Sequence, residues 1–110
     1  MATKGIKTSK TIDRFLKETG KQFFVKKAIL FGSYVRGHAK KYSDIDIAVV
    51  SDDFRNINYF ERLVRLGRIA WQVKATEIEA LGFTVDEYKH ASDLDFLGEI
   101  KKRGKIIYEG

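Results

Sequence analysis

The chain is organised around residues 28–50, which read AILFGSYVRGHAKKYSDIDIAVV. An apolar run ends in Gly32-Ser33, ten residues follow, and a second apolar run opens with Asp44 and Asp46. Side chains two residues apart in a β-strand point to the same face of a sheet. We therefore expect Asp44 and Asp46 to project together, close to whatever the Gly-Ser turn holds.

A Gly-Ser turn between two strands of this kind suits a phosphate group. Gly32 has no Cβ, so a ligand can approach its backbone closely. The sequence predicts a short helix from Ser33 to about Ala39, whose free N–H groups and dipole would face the phosphate. Two same-face acids in a mostly apolar strand are costly unless they are paired or bound to metal. The stretch thus predicts a divalent-metal centre for phosphoryl transfer.

These motifs resemble the minimal nucleotidyltransferases, small members of the superfamily that includes DNA polymerase beta and kanamycin nucleotidyltransferase. The family signature is Gly-Ser, about ten residues, and then Asp-x-Asp. Residues 33–39, SYVRGHA, are similar to the family's Ser-x-Ala-Arg-Gly-x-Ala, and residues 82–88 and 104–109 resemble its later segments. The resemblance covers most of the chain from about Lys26 onward.

The resemblance implies a nucleotide and metal site. ATP or another nucleoside triphosphate would be the substrate, with its β- or γ-phosphate bound by Gly32 and Ser33. Two Mg²⁺ ions would be bridged by Asp44 and Asp46. Arg36, about one helical turn beyond Ser33, is expected either to reach phosphate or to form a structural ion pair.

A third acid in this family usually comes from the neighbouring strand and holds the metal that activates the nucleophile. Aligning Phe83-Thr84 with the family's Tyr-Thr segment places this role on Glu79. Glu77 lies on the same face of the predicted strand and is the competitor.

The fold class expected from the order of elements is α+β, a mixed sheet with helices packed on it. One domain is expected over residues 1–110, with residues 1–7 as a frayed tail. Trp71 is expected in the core, because it falls on an apolar stripe of the predicted helix 59–73. A predicted helix over 9–20 has Ile12, Phe15 and Leu16 on one face, and another covers 59–73. A capping-box pattern of Thr84 and Glu87 opens a short helix, and Ser92 opens another that carries Phe96 inward. The predicted strands cover 23–31, 44–50, 74–83 and 105–108.

Composition limits the function classes. The chain has 21 Lys and Arg against 15 Asp and Glu, a net charge of +6 that favours polyanionic partners. Nucleic acid is one such partner, but no basic-aromatic motif of a known nucleic-acid module is visible. The absence of Cys excludes disulfides and cysteine metal sites. With no apolar run long enough for a membrane span and no secretory signal, we expect a cytoplasmic protein.

The function expected from the resemblance is Mg²⁺-dependent transfer of AMP from ATP to a hydroxyl acceptor. The chain has room for a catalytic sheet and little else, so a partner protein or a homo-oligomer is expected to supply the acceptor site. Similar proteins pair with small helical HEPN-type toxins, and the best-understood ones transfer AMP to a toxin tyrosine. The alternative is a nucleotide- or partner-binding protein that neutralises a HEPN-type partner without catalysis. Nucleic-acid binding through the basic surface is a weaker third hypothesis.

Overall fold

The computed structural model describes residues 2–32 and 44–110. Within them, a long helix precedes four strands, between which the other helices are distributed. The elements are α1 (Ala2–Gln22), β1 (Lys27–Phe31), β2 (Ile45–Val50), a 3-10 turn (Asp52–Phe54), α2 (Tyr59–Gln72), β3 (Ile78–Phe83), α3 (Val85–Lys89), α4 (Phe96–Arg103) and β4 (Lys105–Glu109).

The four strands form one mixed sheet in the order β3-β2-β1-β4. Strand β1 pairs antiparallel with both β2 and β4, whereas β2 and β3 are parallel. A parallel pair requires a crossover connection, and α2 provides it here. The expected α+β fold, a mixed sheet with packed helices, is confirmed.

Strand β2 lies in the interior and is covered on both faces. Ile47 and Val49 face α1 and α2, where they join Phe15 and Leu66 in the larger apolar cluster. Residues on the other face of the sheet pack toward α4 in a smaller apolar cluster. Its buried members are Ile29, Ala48, Val50, Phe83 and Ile100. Strands buried on both faces read as near-continuous apolar runs. A carboxylate in β2 therefore has few places to reach solvent, and Asp46 occupies one of them at the start of the strand.

Helix α1 begins at Ala2, not near Ser9 as the sequence analysis expected. Residues 2–7, expected to belong to a frayed tail, are helical. Once a helix exists, each further residue adds a hydrogen bond without a new nucleation cost, and no proline stops the extension. The inward face is the predicted one, since Phe15 is buried and Ile12 and Leu16 pack against the core.

The first strand is shorter than the predicted span 23–31. Phe23 lies in the core with its ring 4.8 Å from that of Phe54. The Phe24 N–H donates to the Asp53 carboxylate at 2.7 Å, and its carbonyl accepts from the Ser51 hydroxyl at 2.8 Å. Residues 23–24 are thus held by side chains of the turn after β2, and the β1 strand begins only at Lys27.

Helix α2 buries a different face from the one predicted. The helix packs through Arg62, Leu66, Ile69 and Ala70. Phe60 is 71% exposed and Trp71 is 73% exposed, so the prediction that Trp71 belongs to the core was wrong. Both faces carry apolar residues, and periodicity alone could not choose between them. Burying Arg62 is tolerated because its guanidinium donates to two backbone carbonyls and to the Glu87 carboxylate.

Arg62 joins three elements through those bonds. Its guanidinium donates to the carbonyl of Ile57 at 2.7 Å and to that of Gly82 at 3.2 Å. It also forms an ion pair of 2.8 Å with Glu87 in α3. Thr84 and Glu87 form the predicted capping box at the start of α3. This network fixes α2 and α3 relative to the end of β3.

Candidate active site

Asp46 lies at the centre of a row of residues that crosses three strands. In the sheet register Asp46 is opposite Phe31 of β1 on one side and Glu79 of β3 on the other. Asp46 is half-buried, whereas Asp44 and Glu79 are exposed. The register therefore brings Asp46 and Glu79 together across the parallel pair, with Gly32 directly after the other end of the row.

Glycine is required at position 32 for two reasons, its backbone conformation and the proximity of the Asp46 carboxylate. Its φ is +79°, in the left-handed region that favours glycine. A β-carbon built at this position would overlap the Asp46 carboxylate. The sequence analysis assigned Gly32 to close approach of a phosphate. The structure shows a second reason for glycine, which is that any side chain here would displace the central acid.

Burial and neighbouring charges shift the pKa values of Asp46 and Glu79. Burial, followed by the nearby charge of Asp44, raises the pKa of Asp46. The charge of Asp44 raises the pKa of Glu79, and burial, the charge of Asp46 and a hydrogen bond with the Asp44 side chain act in the same direction. Raised pKa values from mutual repulsion mean that the cluster favours an added proton or a cation.

Glu79, rather than Glu77, lies in the row with Asp46. Strand β3 begins at Ile78, four residues later than predicted, because the Ile78 N–H closes a turn onto the Ala75 carbonyl at 3.0 Å. Glu77 precedes the strand and contributes its backbone carbonyl, which accepts from the Ile45 N–H at 2.8 Å. Glu77 thus lies just outside the strand that carries Glu79, and the choice of Glu79 as the third acid stays a prediction.

Ser33 and Arg36 lie outside the described residues, as does the helix expected from Ser33 to about Ala39. Their assignment to phosphate binding stays a prediction. The site that the structure describes consists of Gly32, Asp44, Asp46 and Glu79.

The donor chemistry of this site suits Mg²⁺, which binds carboxylate oxygens and fills its remaining positions with water and substrate oxygens. The repulsion among the acids is what a bound cation would relieve. Among residues 2–32 and 44–110, however, no three His, Cys, Asp or Glu side chains are arranged to hold a metal ion. The described carboxylates therefore have the right chemistry and charge without forming a complete metal site.

A cavity of about 590 Å³ opens beside the acids. Asp46 and Glu79 line it together with Phe31 and Phe96, whose rings meet edge to face with centroids 5.8 Å apart. Phe96, expected to point inward, is 59% exposed. The sequence analysis missed both aromatic residues as parts of the site, although the position of Phe31 directly before Gly32 was a usable signal.

Another cavity, of about 400 Å³, lies at the opposite end of β1 from Gly32. It is lined mostly by apolar residues, among them Leu16, Phe23 and Tyr108, and none of its described lining residues carries a carboxylate. It therefore lacks the chemistry of the acidic site.

None of the helices in the described part of the chain is both long and apolar enough to cross a membrane.

Residues 9–107 match the family model of the nucleotidyltransferase domain. The chain belongs to this family of transferases, which confirms the resemblance seen in its sequence. No curated protein sequence matches the chain.

Solved structures share the fold. A candidate nucleotidyltransferase from Sulfolobus solfataricus superposes with a TM-score of 0.68 at 19% identity, over 94% of this chain and 82% of that one. A toxin–antitoxin structure with AMP-PNP superposes with a TM-score of 0.62 at 22% identity, over 89% of this chain and 73% of that one. At these identities the similarity is one of fold.

Proposed function

We propose that this chain transfers a nucleoside monophosphate, AMP from ATP, to a hydroxyl acceptor in a metal-dependent reaction. The observation that carries the proposal is the row formed by Phe31, Asp46 and Glu79, with Gly32 directly after its β1 end and Asp44 beside it. Membership of the nucleotidyltransferase family supports the reaction class. Two Mg²⁺ ions are proposed, which Asp44, Asp46 and Glu79 would hold.

We assign each residue of the site a role from its position in the row. Gly32, at the β1 end of the row, lets the triphosphate approach, and we assign Ser33 and Arg36 to the same phosphates. Glu79, at the β3 end, is assigned to the acceptor side, where it would hold a metal ion beside the attacking hydroxyl. Bound Mg²⁺ would offset the negative charge of the phosphates and lower the pKa of the acceptor hydroxyl.

The bond changes follow from this arrangement. The acceptor oxygen forms a bond to the α-phosphorus, the bond between that phosphorus and the bridging oxygen breaks, and pyrophosphate leaves. The hydroxyl proton passes to a carboxylate or to water. Asp46 is fixed by its place in β2, between Gly32 and Glu79. We assign it to keeping the triphosphate and the acceptor in position relative to each other.

A protein partner is proposed to supply the acceptor. The toxin–antitoxin structure with AMP-PNP shares the fold of this chain, which supports an antitoxin role in a similar pair. Following the sequence resemblance, we assign the partner to the helical HEPN type and the acceptor to one of its tyrosines. A homo-oligomer of this chain is the other arrangement in which a second surface completes the site.

The second candidate function is neutralisation of such a partner by binding alone. It is favoured by one observation, that the described acids are not arranged as a complete metal site. A binding-only protein would need the surface of this chain but not the charges of Asp44 and Asp46.

The test uses ATP labelled at the α-phosphate, Mg²⁺ and the chain purified together with whatever co-purifies from its native extract. We expect label on a protein partner, absent in the double variant Asp44→Ala/Asp46→Ala. Asp93→Asn, in an exposed turn and not among the described residues that line the cavity, is the control for loss of a surface carboxylate. If the partner carries no label, and the double variant still binds and neutralises it, the binding-only function is established instead.

A further inference from the structure

Phe96 is a largely exposed aromatic side chain at the edge of the candidate active site. It lies in the first turn of α4 and is 59% exposed, although a phenylalanine gains free energy by burial. Its ring lines the cavity beside Asp46 and Glu79, and also a smaller cavity of about 60 Å³ whose lining includes Gly32. The same ring therefore borders both the acids and the glycine of the phosphate turn.

The contact between Phe96 and Phe31 leaves one face of the Phe96 ring open. The two rings meet edge to face, with an angle of 81° between their planes. In such a pair one ring presents its edge to the other, so Phe31 covers at most one face of Phe96. Because most of the Phe96 side chain is exposed, its other face is available to a second planar group.

Local hydrogen bonds hold the backbone around Phe96. The Asp95 carboxylate caps α4 by accepting from the N–H groups of Gly98 at 2.7 Å and Ser92 at 3.1 Å. A β-carbon at position 98 would overlap the Ser92 carbonyl, so the loop before α4 packs directly on its first turn. Phe96 is thus presented from a fixed backbone, which lowers the entropic cost of binding a ligand against its ring.

Tyr59 is another exposed aromatic residue in the lining of the larger cavity. Its ring lies 6.0 Å from that of Phe83, which is the last residue of β3, whereas Glu79 is the second residue of that strand. Four residues of a strand span about 13 Å. Tyr59 therefore lies toward the end of the cavity that is away from the acids, and Phe96 is the better placed of the two rings.

The lining residues favour recognition of a nucleobase by stacking. Every base has a π-face that can stack on an aromatic side chain, whatever its hydrogen-bonding edge. Among the described lining residues of the two cavities, Tyr59 alone carries an uncharged polar side chain, and none is Asn, Gln, Ser or Thr. Arg103 and Glu99, which line the smaller cavity, form an ion pair of 2.6 Å with each other.

We propose that Phe96 is the nucleobase platform of this chain, on which the base of the bound nucleoside triphosphate stacks. The inference rests on the proposed function and adds how the base is held and selected. With the triphosphate at Gly32 and the α-phosphorus at the acids, the nucleoside needs a surface that borders both, and Phe96 supplies one. Stacking favours the larger ring system of a purine and distinguishes adenine from guanine only weakly.

The first experiment measures binding of the non-hydrolysable ATP analogue AMP-PNP, with Mg²⁺, by isothermal titration calorimetry. We expect Phe96→Ala to lower the affinity about fivefold or more, as loss of base–aromatic stacking does, and Phe96→Trp to keep or raise it. Inorganic tripolyphosphate, which has no base, should bind both variants as it binds wild type. Phe60→Ala removes a similarly exposed phenylalanine outside the described lining and should bind both ligands normally.

Two calorimetric results would overturn the inference. Equal losses of affinity for AMP-PNP and tripolyphosphate in Phe96→Ala would assign Phe96 a structural role in the phosphate site. Selective loss of AMP-PNP affinity in Tyr59→Leu, with none in Phe96→Ala, would place the base on Tyr59 instead.

The second experiment detects the stacked base by fluorescence. Trp71 is the only tryptophan of the chain, so Phe96→Trp combined with Trp71→Phe leaves one indole, at the proposed platform. AMP-PNP and GMP-PNP should both quench its emission saturably, with dissociation constants within about tenfold of each other. Tripolyphosphate should bind without this quenching. Equal responses to tripolyphosphate and AMP-PNP, or no response to bound AMP-PNP, would overturn the platform.

Failure of this inference and failure of the proposed function give different results. Phe96-dependent binding of AMP-PNP without any AMP transfer would support the platform and refute the proposed function. AMP transfer with an unchanged KM for ATP in Phe96→Ala would keep the proposed function and overturn the platform. A preference of wild type for ATP over GTP that is kept in full by Phe96→Ala and exceeds about a hundredfold would overturn recognition by stacking.

Discussion

The backbone of Gly32 lies against the carboxylate of Asp46, so closely that a β-carbon at position 32 would overlap the acid. The turn that ends β1 and the acid in β2 are thus one structural unit. This contact makes the glycine of the Gly-Ser motif a requirement of the carboxylate beside it as well as of a phosphate.

Gly32→Ala should therefore damage both stability and activity. The left-handed backbone costs a non-glycine residue about 1–2 kcal/mol, and the added methyl group must push Asp46 aside. We expect the free energy of unfolding to fall by at least that amount, measured by urea denaturation, and AMP transfer to fall at least tenfold. Gly20→Ala, in α1 with no atom near its missing β-carbon, should stabilise the chain by about 0.5–1 kcal/mol. Wild-type activity in Gly32→Ala would contradict the contact.

Neutralising Asp46 should lower the activity without lowering the stability of the fold. Asp46→Asn removes the central carboxylate and also the repulsion that raises the pKa of Asp46 and Glu79. We expect transfer to fall about 10³-fold or more while the thermal midpoint stays or rises, because the lost charge is unfavourable in the folded state.

Two glutamate variants test which residue is the third acid. Glu79→Gln should lower transfer strongly, since Glu79 shares the row with Asp46. Glu77→Gln should leave it within about twofold, because Glu77 precedes β3 and contributes its backbone carbonyl there. The reverse order of effects in steady-state kinetics would assign the catalytic role to Glu77.

Mg²⁺ should stabilise the fold through the same acids. A ligand that binds only the folded state at a hundred times its dissociation constant adds about 2.7 kcal/mol. We expect the thermal midpoint to rise with Mg²⁺ concentration in wild type and in Asp93→Asn, and not in Asp44→Ala/Asp46→Ala. An equal rise in all three proteins would indicate a nonspecific salt effect and no metal binding at Asp44 and Asp46.

Arg62 should be a major contributor to stability. Arg62→Met leaves the carbonyls of Ile57 and Gly82 without their donor and Glu87 without its ion pair. Buried groups that lose their partners cost about 1–3 kcal/mol each, so we expect a loss of about 2–4 kcal/mol by chemical denaturation. Arg65→Met, which breaks only an exposed ion pair with Glu61, should cost about 0.5 kcal/mol or less. Similar costs for the two variants would contradict the network.

The partner of Arg62 predicts a dependence of stability on pH. Burial acts to raise the pKa of Glu87, but hydrogen bonds from Thr84 and Arg62 and the Arg62 charge outweigh it, and the net shift is downward. A lowered pKa in the folded state stabilises the protein above the ordinary carboxyl value, and this contribution is lost as the pH falls through the folded pKa.

Glu87→Gln should thus cost about 1 kcal/mol at pH 7, a value kept small because the Glu87 side chain is 46% exposed. Glutamine keeps the capping geometry, so the cost reports the charge. The difference from wild type should shrink as the pH falls below the ordinary carboxyl value and through the lowered folded pKa of Glu87, below which both proteins carry a neutral group. A difference that stays constant from pH 7 to pH 3 in denaturation experiments would contradict this assignment.

Much of the fold and part of the candidate site were predictable from local patterns. The apolar alternation after Asp44 predicted a strand over residues 44–50, and β2 covers Ile45–Val50 with Asp46 in it and Asp44 directly before it. The capping residues Thr84 and Glu87 predicted the start of α3. Such patterns succeed because spacing along one element is a property of the backbone geometry alone.

By itself, then, the sequence determined the α+β class and placed two acids at the start of an apolar strand after a Gly-Ser turn. Only the tertiary structure decided that Glu79 rather than Glu77 meets Asp46, because the start of β3 depends on a turn closed by Ala75 and Ile78. It also decided which face of α2 is buried, because two apolar faces compete and the partners of Arg62 come from distant segments. Local spacing carries no information about contacts of that kind, which exist only once the strands and helices have packed.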